Sequence, residues 1–261
     1  MKSLSIAATG MMAQQLHVEV ISNNIANLTT SGFKRRRPEF QDLLYQSQRR
    51  IGAQSSDVGT VVPAGVQVGL GVKPASVYRI HQQGSVVQTE NSLDLAIQGE
   101  GFFVVELPTG EFAYTRDGSF QLSPDGLLVN GDGYAVSPGI TVPEDAVEVA
   151  IGANGTVEAV LQGQVGTVDL GQLELATFPN DAGLEAIGNN FLVETTASGT
   201  AAVATPGTAG YGELLQGFLE SSNVNPVSEI TALITAQRAY DLNSKVITAS
   251  DEMMATVSQL R

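Results

Sequence analysis

Hydrophobic positions follow two different periods along this chain, one at its ends and another in its middle. From Leu4, the positions Leu4, Ala7, Met11, Gln14, Val18, Ile21, Ile25 and Leu28 step alternately by three and four, and only Gln14 is polar. Such spacing predicts a helix with one apolar stripe. Its stop signal is Thr29-Thr30-Ser31-Gly32, a run of β-branched, hydroxyl and glycine residues. At the other end, Asn225-Pro226 predicts a helix start: a side chain suited to capping, a proline at the first helical position, and then Glu229 near the positive end of the helix dipole. Leu233, Tyr240, Ile247 and Met254 then recur every seven residues. Beside them run Ala232, Ala239, Val246, Met253 and Leu260 at the same period, and polar Asn243 and Ser250 interrupt the intermediate row of Ala236 and Val257.

The middle reads as strands. Glycines 110, 118, 126 and 133 sit in Asp-Gly, Pro-Asp-Gly and similar turn sequences at intervals of seven or eight residues, which suggests a β-meander. Aromatic and β-branched pieces such as Phe102-Phe103-Val104-Val105 and Phe112-Ala113-Tyr114-Thr115 lie between the turns. Weaker strand candidates fall at 147–151, 157–161, 173–178 and 191–194, and 195–212 reads as loop. The expected class is α+β, with terminal helices that pair in coiled-coil fashion and a central all-β domain of meander or sandwich type. The expected divisions are 1–46 for the N-terminal helical segment, 47–76 for an extended linker rich in Gly, Ser, Gln and Val, 77–220 for the β-domain and 221–261 for the C-terminal helix.

Charge sharpens this division. The 261 residues carry a net charge of −14, which argues against a general nucleic-acid binder because the overall field repels phosphates. Residues 1–50 are net basic, residues 51–225 hold twenty of the 27 acidic groups, and the last segment is close to neutral. The exception is Lys34-Arg35-Arg36-Arg37, a basic knot for which the carboxylates of a neighbouring subunit are a simpler partner than nucleic acid; a solvated run is the comparable alternative.

Candidate chemistry is sparse. There is no cysteine, hence no disulfide scaffold or thiolate site. His17 borders the helical stripe and His81 has no second ligand in view, so neither supports a metal. The three G-x-G pairs at 69–71, 99–101 and 131–133 lack the third glycine of a dinucleotide loop, and no cofactor is expected. Scattered acidic residues among turns read as a solvated surface rather than a glycosidase pair. The N-terminus lacks an uninterrupted apolar core for a signal peptide, so the expectation is either a cytosolic protein or export without a cleaved signal. Two apolar flanks on each terminal helix exceed what a single pair of helices can cover, which points to further copies of the chain. Repeated contacts between different patches on successive copies close into rings or run on as helical filaments.

Residues at both ends carry a family resemblance. Asn23-Asn24-Ile25-Ala26-Asn27, Thr30 and Gly32-Phe33-Lys34 resemble the N-terminal signature of bacterial flagellar axial proteins of the rod and hook group. Ser222-Asn223-Val224-Asn225, Glu229, Gln237-Arg238-Ala239-Tyr240 and Asn243-Ser244-Lys245 resemble their C-terminal signature. The stretches 91–97, 101–103 and 114–120 resemble the shared central domain, and Gly52-Ala53-Gln54-Ser55-Ser56 is similar to a stretch typical of distal-rod members. The resemblance implies a structural, non-enzymatic subunit of the distal rod. Its terminal helices would line a tube around the export channel, and the hollow polymer would carry motor torque across the periplasm. Implied partners are other copies of the chain, other rod proteins, the hook protein, the P-ring and L-ring proteins and the flagellar export apparatus. The assembly-interface residues expected on this basis are Leu4, Met11, Val18, Ile21, Ile25, Leu28, Lys34, Arg35, Arg36, Leu233, Tyr240, Ile247 and Met254. The alternatives are a neighbouring rod or short hook subunit and, from a different class, a secreted β-domain acting on cell-wall glycan.

Overall fold

A computed structural model describes residues 2–49, 64–163 and 166–259. Two long helices, α1 (Lys2–Ala26) and α2 (Pro226–Gln259), enclose nineteen strands in sequence among the described residues. The class is therefore α+β, as the two hydrophobic periods predict. Of the linker segment expected at 47–76, residues 50–63 lie outside the described residues, and of the rest 47–49, 66–69 and 72–76 fall in strands.

The chain divides into two compact units. The first contains residues 1–25, 36–78 and 225–261. Within it, strand Arg36–Asp42 pairs with Val72–Arg79, and Tyr45–Arg49 pairs antiparallel with Val66–Gly69. The ring of His17 on α1 meets Phe40 edge-on at 6.2 Å, and the Thr9 hydroxyl accepts a hydrogen bond from the backbone N–H of Val72. Helix and strand ladder thus cover each other.

The second unit contains residues 26–35 and 79–224. Its main sheet has six strands in the order 185–188, 191–193, 112–115, 102–106, 175–177 and 202–204. Phe102–Glu106 lies inside this sheet and is buried on both faces, which explains its unbroken apolar run. Phe102 and Val104 enter a cluster with Tyr114, Ala176, Leu184 and Leu192. Phe103, one residue out of phase, enters the larger core with Leu95, Ile97, Phe120, Leu128 and Leu175. The regular glycine spacing does not produce one continuous meander. Strands 102–106 and 112–115 form one hairpin, and 120–122 pairs with 128–130 in a separate sheet. Gly118, between the two, explains the break: a Cβ there would lie 1.7 Å from the Leu95 carbonyl oxygen, so the chain passes against another strand where a turn would otherwise continue the ladder. Ala202–Ala204, read from the sequence as loop, is an edge strand paired with 175–177.

Candidate assembly surface

The helices meet through small and polar side chains. On α1, Ser3, Gly10, His17 and Asn24 lie seven residues apart; on α2, so do Ser250, Asn243, Ala236 and Glu229. The two rows run in opposite directions and face each other. The hydroxyls of Ser3 and Ser250 are 3.4 Å apart, a Cβ on Gly10 would meet the Asn243 amide at 2.9 Å, and the Asn24 amide donates to Glu229 Oε2 at 3.2 Å. His17 shares a hollow with Ala232 and Thr235. Burial holds its pKa below the usual value, against the opposing pull of Glu229. Ala236 and Ser250 are only 1% and 3% exposed.

Large apolar side chains flank this contact. At about 100° per residue, rows three and four positions on from the contact row lie on either side of it. On α2 these are the rows of Ala232, Ala239, Val246 and Met253 and of Leu233, Tyr240, Ile247 and Met254. Leu233 and Ile247 are half-buried, whereas Tyr240 and Met254 are exposed, and Met253 is 61% exposed. Val227 and Leu242, elsewhere on the helix, are 72% and 62% exposed. On α1, Ala7, Ala13, Val20 and Ile21 flank the row and are buried. The predicted stripe on α1 splits: Ile21 is buried beside the contact row, Leu28 lies just beyond the helix and is half-buried, and Leu4, Met11, Val18 and Ile25 lie further round and are also half-buried. The close approach of the backbones comes from residues that the apolar pattern treats as interruptions.

The signature residues have structural work within the chain. Asn24 Oδ1 accepts the Arg36 N–H and its amide donates to the Arg36 carbonyl. Asn225 caps α2, its Oδ1 accepting from the backbone N–H groups of Val227 and Ser228. In the second unit, the Asn223 amide donates to the carbonyls of Ile80 and Gln82 and its Oδ1 accepts the Arg35 N–H. Gly32 has φ +67°, and a Cβ there would sit 2.7 Å from the Arg116 carbonyl carbon, so glycine is required.

Within the basic knot, Lys34 differs from the expectation of a surface charge facing another copy. Its ammonium is buried against the Glu220 carboxylate and donates to the Gln82 carbonyl. Glu220 also faces the buried Arg116 guanidinium at 3.5 Å and accepts the Gly84 N–H. Burial pulls the Lys34 and Arg116 pKa values down, and Glu220 opposes both shifts. Arg35 and Arg36 are half-buried and Arg37 is exposed, so only the arginines of the knot retain surface. The Glu220 cluster could not be read from sequence, because its members lie 82 to 186 residues apart. Polar residues breaking a seven-residue apolar repeat were the available signal for Asn243 and Ser250, whereas Asn24 lies outside the apolar stripe of its helix.

Comparison with known proteins finds matches in three stretches of the chain. The description "Flagella basal body rod protein" matches residues 4–34, "Flagellar hook protein FlgE/F/G D1 domain" matches 96–159, and "Flagellar basal body rod FlgEFG protein C-terminal" matches 215–260. The chain is 58% identical to flagellar basal-body rod protein FlgG of Caulobacter vibrioides, with both chains covered completely. It is 40% identical to the FlgG protein of Bacillus subtilis, over 100% of this chain and 99% of that one. It is 30% identical to the Bacillus subtilis flagellar hook-basal body complex protein FlhP, again over both full lengths. With both helices, the cap of α2 and the central sheet all falling where these relatives are matched, the chain belongs to the flagellar basal-body rod protein family, in its FlgG branch.

Proposed function

We infer that this protein is the repeating structural subunit of the distal rod, polymerising helically through its terminal helices into the hollow shaft that transmits motor torque through the periplasm to the hook. The observation that carries this reading is the packing of α1 on α2. A narrow contact of small and polar residues leaves large apolar flanks on α2 open, and an exposed apolar surface of that kind suits self-association. In the polymer, Leu4, Met11, Val18, Ile25, Leu28, Leu233, Tyr240, Ile247 and Met254 line contacts with helices of neighbouring copies, while the buried Ile21 supports α1 within its own unit. Arg35 and Arg36, with Arg37, meet carboxylates of an adjacent subunit. The other partners are the neighbouring rod proteins, the hook protein, the P-ring and L-ring proteins and, before assembly, the flagellar export apparatus, which takes the subunit without signal cleavage. Deletion of the gene tests the reading: hook-basal bodies should stop short of the outer rings and regain full length on complementation. Full-length rods in the deletion strain would overturn it.

A further inference from the structure

We propose that the buried pair Asn24–Glu229 is a register lock, selecting one alignment of α1 on α2 from several that the seven-residue repeat would otherwise allow. The inference rests on the reading that the two helices of one subunit pair in the assembled rod.

The seven-residue period creates the ambiguity. A slide of one repeat moves α1 by about 10 Å along α2 and again brings small residues opposite small ones: Ser3 opposite Asn243, Gly10 opposite Ala236. Apolar flanks tolerate such slides, because burial energy follows area rather than direction. A hydrogen bond between buried polar groups does not, and a single buried polar position is a well-attested means of fixing register in paired helices.

Asn24 is unusually well suited to this role. Its carboxamide has two N–H donors and one carbonyl acceptor. The acceptor and one donor are committed to the two backbone groups of Arg36, at 2.9 Å each. The amide therefore cannot swing, and its position on the first unit is fixed by strand Arg36–Asp42. The remaining donor capacity points at Glu229 Oε2. Glu229 is itself 8% exposed, in the first turn of α2. In any shifted alignment Glu229 loses Asn24, and a buried charged acceptor without its donor is costly. A slide of one repeat in one direction instead sets Glu229 opposite His17, and in the other carries it beyond the end of α1. The gap at Gly10 that receives Asn243 reinforces the same alignment.

The absence of cysteine makes cross-linking a clean readout. Ser3→Cys with Ser250→Cys reports the observed register, and Ser3→Cys with Asn243→Cys reports the slipped one, since disulfides need Cα atoms closer than about 7 Å. The measurement is made in rods assembled with wild-type subunits in excess, so that each pair is read within single incorporated chains. Native-register cross-linking should exceed slipped cross-linking by at least about tenfold, the preference expected from one hydrogen bond to a buried charge. Glu229→Gln keeps an acceptor for Asn24 and should retain that preference. Glu229→Leu should reduce it to within about threefold. A Glu229→Leu chain that keeps the full preference overturns the lock. So does one that fails to enter rods that accept Glu229→Gln, because the pair would then serve stability rather than register. No cross-link at positions 3 and 250 in otherwise normal rods would instead remove the pairing of the helices within a subunit, with the deletion phenotype left standing.

Discussion

At the scale of single residues, Glu220 holds the most consequential position in the second unit. Two buried cations, Lys34 and Arg116, share its one carboxylate. Removing that charge takes from both buried cations the one carboxylate in contact with them, and breaking a buried pair typically costs 3–5 kcal/mol. Glu220→Gln should therefore lower the urea midpoint of the soluble protein's second unit by an amount corresponding to roughly 3–5 kcal/mol, whereas Glu213→Gln, on an exposed carboxylate, should lie within about 0.5 kcal/mol of wild type. A parallel shift of both variants would contradict the assignment. His81 adds a pH dependence in the same region. Its ring meets Phe102 edge-on at 5.6 Å, and its pKa is pulled down from 6.5 to about 4, first by burial and then by the positive charges of Lys34, Arg79 and Arg116. The unfolded chain takes up this proton near pH 6.5 and the folded chain only near pH 4, so unfolding binds a proton between those values and stability falls as the pH drops. The loss can reach about 3 kcal/mol by pH 4. Thermal melts at pH 7 and pH 4.5 should show this decline in wild type and a shallower one in His81→Leu; equal declines would remove His81 as the source.

At the scale of elements, the terminal helices divide their surfaces by side-chain size. The row between them is small and polar, and the flanks of α2 are large and apolar. A charge placed on a flank should therefore disrupt contacts between copies without touching the second unit. Ile247→Asp should abolish incorporation into rods while near-UV circular dichroism of the soluble protein stays unchanged, and Thr248→Asp, on the exposed side, should still assemble. Rods built by Ile247→Asp would refute the flank assignment. The same helices show what a sequence can disclose. Both were legible, with the start of α2 at Pro226 readable from its cap, because helix periodicity and capping are local properties. The contacting face was not. An apolar pattern points to where burial is possible, and this pair approaches through Ser3, Gly10, Asn24, Asn243 and Ser250, which the pattern counts as gaps. Strands were legible where turns are Gly-Asp rich or the run is buried on both faces, as in 102–106. Short half-exposed strands such as Arg36–Asp42 and Ala202–Ala204 show no alternation of apolar and polar residue types in the sequence and depend on partners distant along the chain. Glu220 with Lys34 and Arg116 is the extreme case, a site made by topology alone.

At the scale of the whole molecule, the two units have different sources of stability. The second unit closes a continuous apolar core around Phe103, Phe120 and Leu175, all at most 1% exposed, and needs no other copy to bury it. The first unit depends on α1 and α2, whose mutual contact is small and polar; the flanks of α1 are buried, and those of α2 remain open. Helices gain most of their stability in proteins from packing of an apolar face, and an isolated helix in water is marginal; Gly10 within α1 costs roughly a further 1 kcal/mol relative to alanine. With the flanks of α2 uncovered, the ordering entropy of some sixty helical residues, at about 1–2 kcal/mol each for the backbone, is not offset by burial in a lone subunit. The free subunit should therefore keep residues 1–25 and 226–259 largely unstructured and fold them on joining the polymer. Hydrogen exchange on the soluble protein should show protection across 102–106, 112–115 and 175–177 and fast exchange throughout both termini, while assembled rods show protection in all of these. Far-ultraviolet circular dichroism should show the helical signal rising on assembly. Two protected, helical termini in the monomer would instead mean that α1 and α2 are stable as a pair, and that the open flanks provide affinity between copies without being required for folding.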